Sequence, residues 1–434
     1  MQALQRQGYT ADEVTAILKA GTGTIGNRFE LLDQAFRVVG DLNAAPPGAS
    51  PAASSPGTVT AASVDYDVDR PLVGALELRM LPDPRLRDAA MQYRIKPYIQ
   101  LTNAGRTVEF PMGVYLWDVP ERDIAPGIEE WTVTLADGLF DLESDGPPVG
   151  GFNVWKGELQ TDAIARIVQA AGLVDTSGIR ASGAAFAGPR VWGLTRPRQV
   201  FGITYIPGFE EGWGFYSDGA TISVGGDNPN QTRTNTWRDI AASIHNGIGY
   251  QVPWCDFDGI YQARPYVDWT KATPAVQFGT ASDGITVSPI RSSNDVARRC
   301  NYAAAWSEAG DVAIFFAEAD ANVIAPGHPL SQAKIRHYMR RFEPRSTADS
   351  MTTAELLVRK MVLEGLAAYR RVSFTTLFWP VEPYDVVSVM VAGDTEYATP
   401  QLFQSRGARF DLFTGLVQHD ANQVFASSTP AGTT

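Results

Sequence analysis

The side chains that could carry chemistry are few and scattered. Four histidines occur, His245, His328, His337 and His419, and none falls into HxxxH or HExxH spacing. A zinc hydrolase needs two histidines set on one face by such spacing, so that chemistry is excluded. Cys255 follows His245 in the sequence, but the histidine reads as helical and the cysteine as part of a later strand. A Cys–His nucleophile pair would need the fold to bring them together, and a buried thiol is the plainer reading. Asp256 and Asp258 flank Phe257 in a turn. They could ligate Ca²⁺ or serve as glycosidase acid and base, but turn aspartates commonly bond to their own backbone, and that reading is preferred. Glu210 and Glu211, beside Trp213, are better candidates for sugar cleavage, because acids next to a flat aromatic suit it. A solvated acidic loop explains them equally well. Residues 21–26 spell GTGTIG, yet no strand precedes them and no helix with a ribose-binding acid follows, so they read as a hinge. No GxSxG elbow and no Walker loop is present. The chain is read as a non-enzyme, with no catalytic, cofactor-binding or metal residue assigned and no cofactor expected.

Composition narrows the class further. With 44% hydrophobic and 19% charged residues the chain is globular, and 434 residues suffice for two to four domains. A net charge of -12 disfavours nucleic acid as a broad surface partner. Two cysteines, Cys255 and Cys300, cannot build a disulfide framework and read as buried thiols, a lone pairing being less favoured. Residues 1–19 lack the continuous apolar core of a signal peptide, and no run reaches membrane-spanning length.

The elements that would position these residues are mostly strands. Residues 10–13 have capping-box spacing, and Val14, Ile17 and Leu18 form the stripe of an N-terminal helix. Alternating apolar residues mark strands at 29–33, 36–42, 58–68, 72–81, 98–102, 108–119 and 131–135. The Ala/Pro/Ser run at 43–57 reads as a mobile surface loop. A helix at 161–172 ends in Ala170-Ala-Gly. Residues 180–233 concentrate aromatics, among them Trp192, Phe201, Tyr205, Phe209 and Trp213, which read as a mini-core in preference to an exposed binding surface. The stretch 235–265, NTWRDIAASIHNGIGYQVPWCDFDGIYQARP, organises the chain. Trp237, Ile240, Ala241, Ile244 and Ile248 give a helical face, Asn235 or Thr236 a cap, Gly247 and Gly249 a stop, and Asp258-Gly259 a hairpin turn. Further on come strands at 301–306, 312–319 and 335–342, the last carrying Arg336, Arg340 and Arg341. A helix from 351 to 371 is capped by Thr352 or Thr353, and strands follow at 372–378, 384–391 and 401–418.

This order resembles the tail hub, or minor tail (baseplate hub-like), proteins of phages, in particular the actinobacteriophage type. The resemblance rests on the Trp237 helix followed by Ile248-Gly-Tyr, Phe257-Asp-Gly-Ile-Tyr and Pro265; on FPMGVYLWDV at 110–119 and WTVTLADGLFDL at 131–142; on Asn294-Asp-Val; on the Thr352-Thr353 helix entry; and on PYDVVSV at 383–389. It implies an α+β, mostly β fold, with two barrel-like hub domains and interspersed helix-bearing domains. The expected division is an N-terminal helix and hinge (1–27), a first β-barrel-like hub domain (28–155), a helix with an aromatic-rich insertion and helix-hairpin module (156–290), strands of a second barrel-like domain (291–349), a helix and strands completing it (350–425), and a polar tail (426–434). It further implies a structural virion protein assembled in the host bacterial cytoplasm and placed at the phage tail tip. There a homotrimeric hub would join the tail tube and distal tail protein to the tail tip or fibre proteins, meet the tape-measure protein, and gate genome exit with DNA only in transit and no membrane span. The rival from another class is a carbohydrate-active enzyme or sugar-binding module, which requires a concave aromatic site with two acids at glycosidase separation.

Overall fold

The computed structural model describes residues 6, 8–20, 23–43, 58–70, 73–125, 128–147, 152–188, 190–192, 198–200, 203–205, 236–279, 290–293, 298–309, 313–343, 348, 350–391, 393, 395 and 397–424. The Ala/Pro/Ser run from residue 44 on, the polar tail from 425, and Glu210, Glu211 and Trp213 lie outside the described residues. The helices are α1 Ala11–Ala20, α2 Leu139–Ser144, α3 Gln160–Ala170, α4 Trp237–Gly247, α5 Ala321–Ile324, α6 Gln332–Ile335 and α7 Met351–Ala367. Side-chain caps start α1, α4, α5 and α7, whereas α2, α3 and α6 begin without one. The capping box expected at α1 is present: the Glu13 amide donates to Thr10 Oγ1 at 3.3 Å and the Thr10 amide to Glu13 Oε2 at 2.9 Å. At α7 the cap is Ser350, not Thr352 or Thr353. Thr353 is the third helical residue and reciprocates, its hydroxyl accepting from the Ser350 amide at 3.0 Å. No helix among the described residues is long and apolar enough to cross a membrane.

Among the described residues the expected barrels are not formed, and the strands lie in several open sheets of a mixed α and β structure. The largest has ten strands, in the order Arg291–Ser293, Arg371–Leu377, Leu416–Val424, Gln401–Asp411, Val59–Asp67, Gly74–Met80, Ile128–Ala136 and Glu121–Ala125; Val386–Met390 pairs with Gln401–Asp411, and Gln277–Gly279 runs parallel to it. A separate five-stranded sheet orders Val38–Asp41, Thr24–Asp33, Tyr93–Asn103 and Arg106–Pro111, with Tyr115–Leu116 also on Tyr93–Asn103. Closure would require the end strands of one sheet to bond to each other. Instead Val59–Asp67, counted in the first barrel by its alternation, pairs antiparallel with Gln401–Asp411 near the other end of the chain. The strands expected to close into the first barrel are thereby divided between the ten-stranded and the five-stranded sheet. Gly407 makes the junction possible: it sits at a register shift, and a Cβ there would lie 2.9 Å from Tyr66 O.

The two sheets share one core. Phe110 meets Phe378 at 5.2 Å between ring centroids, and Trp117 meets Trp131 at 6.5 Å. A second core lies under α7, where Leu357, Met361 and Leu366 pack on Ala303, Ala305 and Ala317. Those alanines belong to a three-stranded sheet ordered Ala313–Asp320, Tyr302–Ala309 and Arg340–Glu343. Small side chains on this face let the helix lie close to the strands, and Trp269 fills the flank, donating its Nε1–H to Leu363 O at 3.3 Å.

Candidate functional site

The stretch 235–265 forms a joint between the layers. Thr236 caps α4 by a capping box with Asp239, and Trp237, Ile240, Ala241 and Ile244 are buried. Gly249, at φ +68°, turns the chain out of the helix. Trp254–Cys255 then pairs with Tyr261–Gln262, closed by a turn in which Gly259 has φ +86°. The turn tip inserts into the core. Phe257 packs on Phe410 at 5.4 Å and Tyr66 at 6.5 Å, both on the ten-stranded sheet. Its carbonyl accepts from the Gly113 amide at 2.8 Å, next to the five-stranded sheet. Trp254 packs on Tyr384 at 6.0 Å.

Two buried polar groups fix the joint. His245 is 1% exposed; its Nδ1–H donates to Gln251 O at 2.8 Å, and Nε2 accepts from the Tyr261 hydroxyl at 3.1 Å. Burial pushes its pKa down to about 4, so the ring is neutral and ties α4 to both arms of the hairpin. Lys360, reaching across from α7, donates from Nζ to Tyr250 O at 2.6 Å and Asn246 Oδ1 at 3.2 Å. It thereby supplies a cation and donors at the C-terminus of α4, and burial lowers its pKa. Neither role was legible in the sequence. The run from Leu356 to Leu363 is interrupted by two charged residues, Arg359 and Lys360, and nothing in the sequence says which of them is buried.

The candidate chemistry is dispersed. Both ring nitrogens of His245 are engaged away from Cys255, whose thiol burial holds far above its usual value, with Asp137 and Asp256 adding to the effect. Cys255 and Cys300 are both free thiols, and Cys300 Sγ donates to Tyr302 O at 3.1 Å. His328 lies under α7 against Trp269, His337 is exposed, and His419 stacks on Phe374 at 4.8 Å. Among the described residues no group of three or more His, Cys, Asp or Glu is placed to hold a metal ion. Asp256 is spent on its own turn: Oδ1 accepts from the Asp258 and Ile260 amides, each at 2.9 Å, and Oδ2 from Gln262 Nε2 at 2.6 Å. Asp258 faces Arg6 at 3.6 Å and Lys96 at 3.8 Å, linking the turn to the N-terminal segment and the five-stranded sheet.

Two hollows flank the joint. One, of about 20 Å³, is lined by Asp137, Cys255, Asp256 and Glu382 and has room for a single water. Burial pushes Asp137 up to about 7, although its carboxylate accepts from the Gly74 and Leu139 amides. The other, an open cleft of about 430 Å³, is lined by Arg180, Gln251, Trp254, Arg264 and Asp385. Asp385 is the single carboxylate on the cleft's described lining, and Arg264 lies over the Trp254 ring at 5.5 Å. A glycosidase site needs a pair of facing carboxyl groups.

No protein-family model matches the chain, and no curated protein matches its sequence significantly. Solved structures do match the architecture. A tail protein from Neisseria meningitidis MC58 is 12% identical, covers 92% of this chain and 96% of its own, and has a TM-score of 0.51. The 43 kDa tail protein of prophage MuSo2 from Shewanella oneidensis is 11% identical, covers 91% of this chain and 98% of its own, and has a TM-score of 0.50. What is shared at these identities is the fold, from end to end of both chains.

Proposed function

We propose that this chain is a structural virion protein whose three copies form the hub at the distal end of a phage tail. The observation that carries the reading is the end-to-end match to two tail proteins, which leaves little of any of the chains over for a separate activity. The joint at 235–265 supports it as well. The contacts of His245, Asp256 and Lys360 lock helix, hairpin and sheets together, which suits a rigid assembly part. We assign no catalytic, cofactor or metal residue. The hub would join the tail tube and distal tail protein to the tip or fibre proteins, anchor the end of the tape-measure protein, and open for DNA in transit by rearrangement of its subunit interfaces. The actinobacteriophage type is part of this reading, carried by the resemblance of the Trp237 helix, Ile248-Gly-Tyr and the Phe257-Asp-Gly-Ile-Tyr hairpin, and assembly would take place in the host cytoplasm.

Cross-linking mass spectrometry on purified particles tests the proposal. Cross-links from this chain to tail-tube, distal-tail or tape-measure proteins are expected. Cross-links to capsid or neck proteins alone, or absence of its peptides from every tail fraction, would overturn it.

A further inference from the structure

Two open sheet edges of this chain carry opposite charge. Glu121–Ala125 is the last strand of the ten-stranded sheet, with no partner on its outer side among the described residues. Glu121, Arg122, Asp123 and Ile124 are all exposed, so the strand stands clear of the body on both faces. Ile124 is 74% exposed, and Val119, just before the strand, is 65% exposed. Asp118, Glu121 and Asp123 make no ion pair among the described residues, and Arg122 lies over the Trp131 ring at 5.8 Å. Arg340–Glu343 is an end strand of the three-stranded sheet. Arg340, Arg341 and Phe342 are exposed, Phe342 by 53%. Lys334 and Arg336 precede it, also exposed, and none of these four cations forms an ion pair among the described residues. Arg340 stands over the Tyr338 ring at 5.5 Å and shares its sheet face with Glu318 and Asp320.

An open edge offers unpaired amides and carbonyls to any strand that fits, and chains that must stay single protect such edges with charge. Protection works when all open edges carry the same sign, because copies then repel. Here one edge is net acidic, Glu121 and Asp123 against Arg122, and the other net basic, Lys334, Arg336, Arg340 and Arg341 against Glu343, which draws an edge of one copy to the opposite edge of the next. The strands also match in length, five residues against four, or about 15 Å each at ~3.4 Å per residue. Each carries an exposed apolar side chain, Ile124 or Phe342, that a partner strand would cover. In a chain of net charge -12, four unpaired cations within a short stretch are an attractor for another copy of the same acidic chain.

We infer that the acidic edge strand Glu121–Ala125 of one copy docks beside the basic edge strand Arg340–Glu343 of the next, a head-to-tail contact between copies of this chain. Such a heterologous contact closes into a ring when its rotation permits. The inference rests on the hub reading for the number of copies, and it names the surfaces that reading leaves open.

The test uses three full-length variants and light scattering coupled to size exclusion at low and high salt. E121K/D123K turns both edges basic, and R340E/R341E turns both acidic. Each is expected to lose association, its apparent mass falling about threefold to that of one chain, with an unchanged far-ultraviolet circular dichroism spectrum. The combined variant E121K/D123K/R340E/R341E restores opposite signs and is expected to recover the mass of the parent assembly, which a merely misfolded variant would not do. A parent assembly that both double variants leave intact would overturn the edge contact while leaving the hub reading standing. A parent chain that stays single at high concentration and low salt would overturn both.

Discussion

Replacing Gly365 by alanine separates two opposed effects. Gly365 lies inside α7, where alanine is favoured over glycine by about 1 kcal/mol on helix propensity alone. The structure opposes that gain. A Cβ on Gly365 would meet the Cys300 side chain and would lie 2.6 Å from the Cys300 amide nitrogen and 2.8 Å from its Cα. Main-chain atoms cannot rotate away, so α7 must lift off the start of the three-stranded sheet, and overpacking of this kind costs about 1–3 kcal/mol or more. Because the contact is with backbone, we place the overpacking cost at the upper end, for a net loss of about 2 kcal/mol. The assay is urea unfolding of the purified chain, followed by tryptophan fluorescence because Trp269 sits in that core. A lower midpoint is expected for G365A. Adding Cys300→Gly should recover only part of it, because the backbone contacts remain. A raised midpoint in G365A would refute the close packing of helix and strand.

Three further predictions concern the joint and the buried titratable groups. Lys360→Met removes both hydrogen bonds to Tyr250 O and Asn246 from a residue 6% exposed, and should lower stability by about 2 kcal/mol in the same assay. Gly259→Ala places a side chain at φ +86° and 2.8 Å from Val114 Cβ, so the turn tip should be expelled at a cost of about 2–4 kcal/mol, read as a lower melting temperature. The pH dependence has a defined sign. Burial depresses His245 and His328 to about 4 and His419 to about 3, so each contributes stability that is full above the unfolded value near 6.5 and is lost as pH falls towards the folded value. For His245 the depression of about 2.5 units at ~1.36 kcal/mol per unit is worth about 3 kcal/mol. Asp137, raised to about 7 by burial, acts oppositely and regains stability between pH 7 and 4. Burial raises Asp256 and Glu382 in the same direction as Asp137, so the histidine contribution is read by difference: His245→Gln should lose less stability than the parent between pH 7 and 4, and an equal loss would contradict the burial assigned to His245.

Local elements were legible in the sequence because their signals are local. The capping box of α1, the Thr236 cap of α4, the glycine exits and the Asp258-Gly259 turn depend on residues a few positions apart, and the structure forms each of them. Ser350 was passed over as the cap of α7 because Thr352 and Thr353 are equally good candidates by type, and only the start of the helix decides among them. Sheet closure was not legible. Alternation fixes which face of Val59–Asp67 is buried, but nothing in it says that its neighbour is Gln401–Asp411. Two barrels and one long sheet with a separate five-stranded sheet present the same periodicity. At the candidate site the order of types around His245 and Cys255 permitted a reactive pair, and the direction of the ring, set by Gln251 O and Tyr261, decided against it.

Intact and tail-disrupted particles containing the chain would be treated with gold-labelled antibody against the purified protein and viewed by electron microscopy. The account predicts label confined to the distal end of the tail, and lost when the tail tip is removed. Label along the tail shaft or on the head, or on no particle fraction, would contradict it.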